Sequence, residues 1–411
     1  MGVRPDLICF AHLRWDFVTQ RPNHLMTRAA RGRRVFFVEE PFEADAPEGV
    51  ITWNDGGVQV VRPIVPLGAT AGPMHDRLRT TLDLLVEREE IVRPVRWYYT
   101  AMALPWSDHV PASAVVYDCM DELSAFRGAP RQLVRLEESL LATADLVFTG
   151  GRELWLAKRD RHPRVHSFPS SVDAAHFRRA RDPQAEPAEL AGVPHPRIGW
   201  FGVIDERLDL DLLDRLSARR PDWHFVLVGP IAKIEPDDLP ARSNVHHLGP
   251  RPYGELPAHL AAWDVAMMPF ALNDATRYIS PTKTPEYLAA GRPVVSTAIR
   301  DVVEPYGRLG LVRIADDAAG WEAAIEAALA DDLATHRDRA DAFLATHSWD
   351  RTWAEMDALL ASVERQPVQQ SVAPATRAAP PLTTRPRTGA RATSFDRQRR
   401  RTARPEVGLE P

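Results

Sequence analysis

SPTKTPEYLAAGRPVVST, residues Ser280–Thr297, is the stretch on which the rest of the chain turns. A serine and a proline precede a run of helix formers, a glycine closes it, and a second proline opens the β-branched run PVVST. Ser280 suits a helix N-cap and Pro281 the first turn, while Gly291 suits the C-terminal end. The spacing therefore predicts a loop, a helix and a buried strand. A helix N-terminus offers unbonded N–H groups and partial positive charge, which suits a diphosphate. Thr282 and Lys283 stand in that turn, and Lys283 adds a full charge. Glu286 follows one turn later, and a carboxylate accepts two hydroxyls of a diol well. The same features also describe a capped helix packed on a sheet, with Lys283 and Glu286 as a solvated pair.

Outward from this block, short apolar runs alternate with helical patterns. Around it lie Arg197–Val203, His224–Gly229, Val245–Leu248, Val265–Pro269, Pro293–Ala298 and Leu311–Ile314. A first series comprises Asp6–His12, Arg34–Glu39, Val58–Val65, Trp97–Thr100, Val115–Cys119, Leu146–Thr149 and Val165–Phe168. Helical spacing separates several of these, as in Arg131–Ala144. Such alternation predicts parallel βαβ units and an α/β fold of two doubly wound, Rossmann-like domains. The expected domains are residues 1–178 and 197–346, joined by a Pro- and Glu-rich linker at 179–196. Ligands in such sheets sit at the carboxyl ends of the strands, which here means the cleft between domains. Ser348–Val363 reads as an amphipathic helix within 347–364. The remainder, 365–411, is rich in Pro, Thr, Ala, Gln and Arg without periodicity, and reads as a disordered basic tail.

The 411 residues suit two domains plus extensions, and 45% hydrophobic content supplies their cores. Cys9 and Cys119 both lie in strand-like runs, which argues against a disulfide framework and for a reducing cytoplasm. No signal-peptide pattern is present, and no apolar run reaches the roughly 18 residues of a membrane span. Net charge is −5, but ten arginines against three carboxylates from Arg365 onward make the tail +7 and the body −12. An acidic body argues against nucleic-acid binding by the folded part. Only three lysines occur, Lys158, Lys233 and Lys283.

Two segments of the first half place polar groups at strand ends. In AHLRWDFVTQRPNHL (Ala11–Leu25), His12, Arg14, Asp16, Gln20 and Arg21 would face the cleft, where an arginine can hold a phosphate or an anionic acceptor bidentately. The other reading is a polar loop with internal salt bridges. In YDCMDEL (Tyr117–Leu123), Asp118 and Asp121 are candidates for binding acceptor hydroxyls or acting as base, or else cap the next helix. Gly229 and Gly249 end strands, where a backbone can approach a nucleotide or simply turn. Asp209 and Asp211 form the only D-x-D, but within a helical pattern, and His246 and His247 point to opposite faces of a strand. No metal site is expected. Neither a G-x-S-x-G elbow nor a P-loop occurs. Arg28, Arg31, Arg33 and Arg34 cluster at a helix end, as a response to its dipole or as a patch for anionic lipid.

The Ser280–Thr297 block resembles the donor-binding segment of GT-B glycosyltransferases of the family-four type, whose motif is E-x7-E followed by A-A-G-x-P-V-V. Glu286 matches the second Glu, which in that family binds ribose. Tyr278 occupies the position of the first, which contacts the donor sugar, with Asn273, Asp274 and Arg277 as nearby replacements. SFPSSVDAAHF (Ser167–Phe177), RIGWFGVIDERLDLDLLDRL (Arg197–Leu216), HFVLVGP (His224–Pro230) and NVHHLGPRPYGELPAHLAAWDVAMMPF (Asn244–Phe270) resemble further segments of that family in the right order. Where the family carries an Arg and Lys pair, the turn here has Arg207 alone. AHLRWDFVTQRPNHL and YDCMDEL resemble a subgroup for cell-surface polysaccharide, of the teichuronic-acid biosynthesis type. The family's catalytic-region His has no clear match, and His109 lies away from the expected strand end.

The resemblance implies a hexosyltransferase-type enzyme using a nucleotide-diphosphate sugar and a polysaccharide or lipid-linked acceptor. It implies retention of configuration, with neither metal nor cofactor. The implied donor residues are Arg207, Gly229, Gly249, Ser280, Thr282, Lys283 and Glu286. Arg14, Asp16 and Arg21 stand for acceptor or phosphate contacts, and His12, Asp118 and Asp121 for catalysis. A cytoplasmic protein is expected, in peripheral contact with anionic membrane at its inner face or free of it. An epimerase or hydrolase of the same fold, or a non-catalytic scaffold, remains the alternative.

Overall fold

In the first sheet, successive residues of each buried strand belong to different cores. A computed structural model describes residues 4–45, 48–68 and 70–364. Its first sheet holds β1 (Leu7–Ala11), β2 (Val35–Glu39), β3 (Phe42–Ala44), β4 (Gly49–Asp55), β5 (Val58–Pro66), β6 (Val95–Tyr98), β7 (Ala114–Cys119), β8 (Leu146–Thr149) and β9 (Val165–Ser167). The order is β3-β5-β2-β1-β6-β7-β8-β9, all parallel, with β4 added antiparallel to β5. Leu7 and Cys9 of β1, Val35 and Phe37 of β2 and Trp97 of β6 point to one face. Ile8, Phe10, Phe36, Val38 and Tyr98 point to the other. This is the two-fold alternation of a strand buried on both sides by helices.

The second sheet holds β10 (Arg197–Phe201), β11 (His224–Val228), β12 (Val245–His247), β13 (Val265–Met268), β14 (Val294–Ser296) and β15 (Arg313–Ile314), in the parallel order β12-β11-β10-β13-β14-β15. The α/β expectation of two doubly wound sheets is met. The core of this domain begins well before β10. Val172, Phe177, Leu190 and Val193 all pack into it, so much of the segment read as a linker is part of a wall. Arg197 fixes that segment, its guanidinium donating to the carbonyls of Leu190 at 2.9 Å and Val193 at 2.6 Å.

Four helices frame the cleft and its supports: α1 (Arg21–Ala29), α2 (Arg152–Lys158), α3 (Lys283–Ala289) and α4 (Trp349–Ala361). Helix α4 returns to the first domain, where Trp349, Met356 and Leu360 complete the core face covered by α1. Charge pairing reinforces the contact. Arg28 and Arg31 both reach Asp350, at 2.9 and 2.6 Å, and Arg33 reaches Glu364 at 2.5 Å. Arg34 turns to Asp6 at 2.6 Å. The arginine cluster read from the sequence as a helix-end or lipid patch is therefore spent on ion pairs within the protein. No helix among the described residues is long and apolar enough to cross a membrane. Residues 365–411, and with them the expected basic tail, lie outside the described residues.

Candidate active site

The carboxyl ends of β1, β7, β10, β11 and β13 converge, and the loops that leave them enclose a cavity of about 500 Å3 between the two domains. Its second-domain wall depends on two close approaches. Gly202 has φ +139 and Gly229 φ +150, conformations that L side chains rarely adopt. A Cβ on Gly229 would lie 1.8 Å from the Gly202 carbonyl oxygen, and one on Gly202 would lie 2.4 Å from Lys283 Cε. The β10 and β11 ends thus press together so that Lys283 can cross in front of them. Its Nζ sits 4.6 Å above the Trp200 ring, a cation–π contact. Burial and the neighbouring Arg207 push the Lys283 ammonium below its usual pKa, while burial pushes the Glu286 carboxyl up against the pull of Lys283. A diphosphate beside Lys283 and hydroxyl donors at Glu286 would each reverse that strain.

Helix α3 starts at Lys283, with Thr282 at the N-cap and no side-chain cap bond. Ser280 is thus not the cap. It faces the cavity two residues earlier, and its carbonyl accepts from Ser170 Oγ at 3.0 Å across the domains. Thr282, Lys283 and Glu286 also line the cavity. Arg207 lines it too, but its guanidinium is bidentate on Asp205 at 2.7–3.1 Å and lies 5.5 Å from the Phe126 ring of the first domain. Lys233 takes the same ring at 4.8 Å, so Phe126 bridges the domains between two cations. Gly249 sits behind the wall instead of in it. At φ +72, its carbonyl accepts the Gly229 N–H at 2.9 Å, and the Pro250–Tyr253 turn faces the cavity in its place. Trp200 Nε1 and the Tyr253 hydroxyl are buried there without hydrogen-bond partners among the described residues.

The first-domain wall differs most from the sequence reading. Arg21 lines the cavity but is only 2% exposed, and donates to Asp118 at 2.9–3.2 Å and to the Phe168 carbonyl at 2.6 Å. Asp118, wholly buried on β7, is consumed by that pair and cannot meet an acceptor. Arg14 turns away to Glu39 at 3.3 Å and to the carbonyls of Glu40 and Pro41. His12 does not line the cavity. Burial drives its pKa down to about 4, and its Nδ1 has no partner among the described residues. Asp16 does line it, paired with Arg62 at 2.9 Å, and Phe17 beside it is 52% exposed. Asp121 faces the cavity from the loop after β7. Burial raises its carboxyl to about 6, with Arg207 opposing and Asp205 adding to the rise. That rise suits Asp121 to take a proton near neutrality. Tyr278 packs on the first-domain core instead of lining the cavity, and Asn273, Asp274 and Arg277 do not line it either. Asn273 is held by its own turn, accepting from the Thr276 N–H at 3.1 Å.

A second junction closes the back of the cleft. Asp301 accepts from the backbone N–H groups of Arg152 at 2.8 Å and Glu153 at 3.2 Å, so the second domain caps α2 of the first. A Cβ on Gly151 would fall 2.1 Å from Asp301 Oδ2. Neither Gly202, Gly151, Asp301, Phe17 nor Tyr253 stands out in the sequence as a site residue. Only the small residue directly after a strand, in WFGV, signals one of them.

Residues 196–331 match the family "Glycosyl transferases group 1". A curated relative is the putative teichuronic acid biosynthesis glycosyltransferase TuaH of Bacillus subtilis (strain 168), 27% identical over 202 residues. That alignment takes in 44% of this chain and spans 50% of the relative. Among solved structures, sucrose-phosphate synthase from Thermosynechococcus elongatus superposes with TM-score 0.63 at 16% identity, over 88% of this chain and 99% of that one. HepE of Anabaena in complex with UDP gives TM-score 0.61 at 15% identity, over 87% of this chain and 100% of that one. At these identities the structural likeness is one of fold, and that fold is GT-B.

Proposed function

We propose, from a chain that folds as GT-B and carries a glycosyltransferase domain of the family-four type in its second half, that it transfers a sugar from a nucleotide-diphosphate donor to a hydroxyl of an acceptor glycan. The observation that carries this reading is Lys283, held over Trp200 at the junction of Gly202 and α3, with Glu286 one turn further along the same cavity wall. The diphosphate would lie against Lys283 and the first N–H groups of α3, with Arg207 alongside. Glu286 would accept the ribose hydroxyls. As the sugar–phosphate bond breaks, charge grows on the leaving diphosphate, and a fixed cation in a water-poor pocket stabilises it with little reorganisation. Asp121, on the opposite wall, would take the acceptor proton.

The transfer is read as metal-independent, because protein cations occupy the place where diphosphate charge develops. Retention of configuration rests on the family resemblance. The relative from Bacillus subtilis, named for teichuronic acid biosynthesis, supports a role in cell-surface polysaccharide synthesis, and we read the acceptor as a polysaccharide or lipid-linked glycan met at the cytoplasmic face.

Calorimetric titration with UDP, GDP and ADP tests the donor site. One nucleotide should bind, and Glu286→Ala should weaken it roughly tenfold or more, the size of a lost hydrogen bond to a charged group. No binding of any of the three by the folded chain would overturn the assignment.

A further inference from the structure

The two walls of the cavity carry opposite charge. Lys283, Arg207 and Arg251 stand on the donor side with one carboxylate, Glu286, whereas the first domain contributes three carboxylates, Asp16, Asp55 and Asp121, and one cation, Arg21. The first domain's own arginines here are each engaged in contacts within that domain. Arg21 is locked on Asp118 and the Phe168 carbonyl, Arg14 on Glu39, and Arg62 on both Asp16 and Glu39. A phosphate or carboxylate arriving there would find no uncommitted cation among these arginines, and charges of its own sign at Asp55 and Asp121. Like charges repel at such contacts, more strongly at the partly buried Asp121 than at the exposed Asp16 and Asp55. Hydroxyls meet the reverse situation, because each carboxylate accepts two of them. Phe17 then supplies what a sugar ring needs and an ion does not. It is an apolar face, 52% exposed, on the residue next to Asp16 at the edge of the same cavity.

We propose that the first-domain wall takes a neutral, hydroxyl-rich sugar unit of the acceptor, packed on Phe17 and held through its hydroxyls by Asp16 and Asp121, and that it rejects acceptors bearing a phosphate or uronate at that position. This rests on the transfer reading above and adds to it the class of acceptor. The selectivity arises from where the arginines are tied, since Arg14, Arg21 and Arg62 would otherwise offset the three carboxylates of this wall.

A glycan array with matched neutral, uronate-bearing and phosphorylated members tests this on the full chain, with and without UDP, GDP and ADP. Neutral glycans should be retained at least about tenfold more strongly than their anionic counterparts, the discrimination that one unfavourable charge contact sustains. Phe17→Ala, at a half-exposed position whose loss spares the core, should abolish that retention. Asp16→Arg, placed beside Arg62, should shift retention toward uronates. Equal or stronger retention of anionic glycans overturns the inference, as does retention of none. Nucleotide titration of the same preparations separates the two claims. Intact nucleotide binding with the wrong glycans, or none, removes the acceptor class alone, whereas absent nucleotide binding removes the donor reading.

Discussion

Adding one methyl group at Gly202 should disarm the donor site without touching a polar atom of it. In Gly202→Ala the new Cβ would start 2.4 Å from Lys283 Cε and 2.7 Å from Nζ. The backbone cannot withdraw, because the Gly202 carbonyl already presses on Gly229, where a Cβ would come within 1.8 Å. The flexible Lys283 side chain must therefore move, by about 1 Å or more to restore a carbon contact of roughly 3.5 Å. That shift takes the ammonium off Trp200 and off the line of the diphosphate. A charge-assisted hydrogen bond is worth about 1.5–3 kcal/mol, so the diphosphate should bind roughly ten- to 150-fold more weakly. The φ of +139 adds backbone strain of about 1–3 kcal/mol, visible as lower resistance to denaturant. Calorimetry with the preferred nucleoside diphosphate and with its nucleoside provides the assay, and only the diphosphate should lose affinity. In a Lys283→Met background the alanine should add almost nothing, since both changes remove one interaction. A folded Gly202→Ala protein that binds the diphosphate as wild type does, or that loses nucleoside and diphosphate equally, would refute the reasoning.

Asp121→Asn should abolish transfer while leaving nucleotide binding intact, measured by turnover and calorimetry side by side. In the wild type, kcat/KM should rise with pH and level off above about 6, where Asp121 loses its proton. Because that pKa is raised on folding, the folded state holds the extra proton between the ordinary aspartate value of about 4 and about 6. Stability from this group is therefore lost as pH rises through that window, and Asp121→Asn should be the more stable protein at pH 7 in a urea titration. Gly151→Ala drives a methyl group into the Asp301 carboxylate and should part the domains at the back of the cleft. Small-angle scattering should show a larger radius, with each domain's unfolding little changed, and an unaltered radius would count against the junction. Trp349→Ala removes a side chain only 1% exposed from the first-domain core and should cost about 3–5 kcal/mol in denaturant unfolding. A cost near zero would mean that α4 does not belong to that core.

Local features of the sequence carried the donor side and most of the fold. The helix of Ser280–Thr297, its lysine, its glutamate and the strand after it are coded within eighteen consecutive residues, so spacing alone places them together. The first-domain wall was less legible because its outcome depends on partners distant in sequence. Arg21 and Asp118 each look like a cleft residue after a strand, yet 97 positions separate them and they neutralise each other. Arg14 is drawn to Glu39 in the same way. Strand β4 is absent from the sequence reading although the Asp55-Gly56-Gly57 turn that joins it to β5 is a hairpin signal. The helix start was displaced from Ser280 because the first domain, through Ser170, holds that residue in the loop. Phe17 reads as an ordinary apolar residue until the cavity beside it is known.

The chain passes between the domains twice, once between Phe168 and Val172 and again between Leu344 and Trp349. Both passages run beside the first turn of α1. Arg21 donates to the Phe168 carbonyl at 2.6 Å, and His24 stacks on Trp349 with ring centroids 4.9 Å apart. A single strand joining two bodies behaves as a string, free to bend and to spin. Two short strands held side by side behave as a ribbon, which folds readily across its width but resists torsion. Such a connection predicts that the cleft opens as a swing and not a tumble. A swing of that kind would bring Lys283 and Asp121, which line the cavity from opposite domains, back to the same register at each closure.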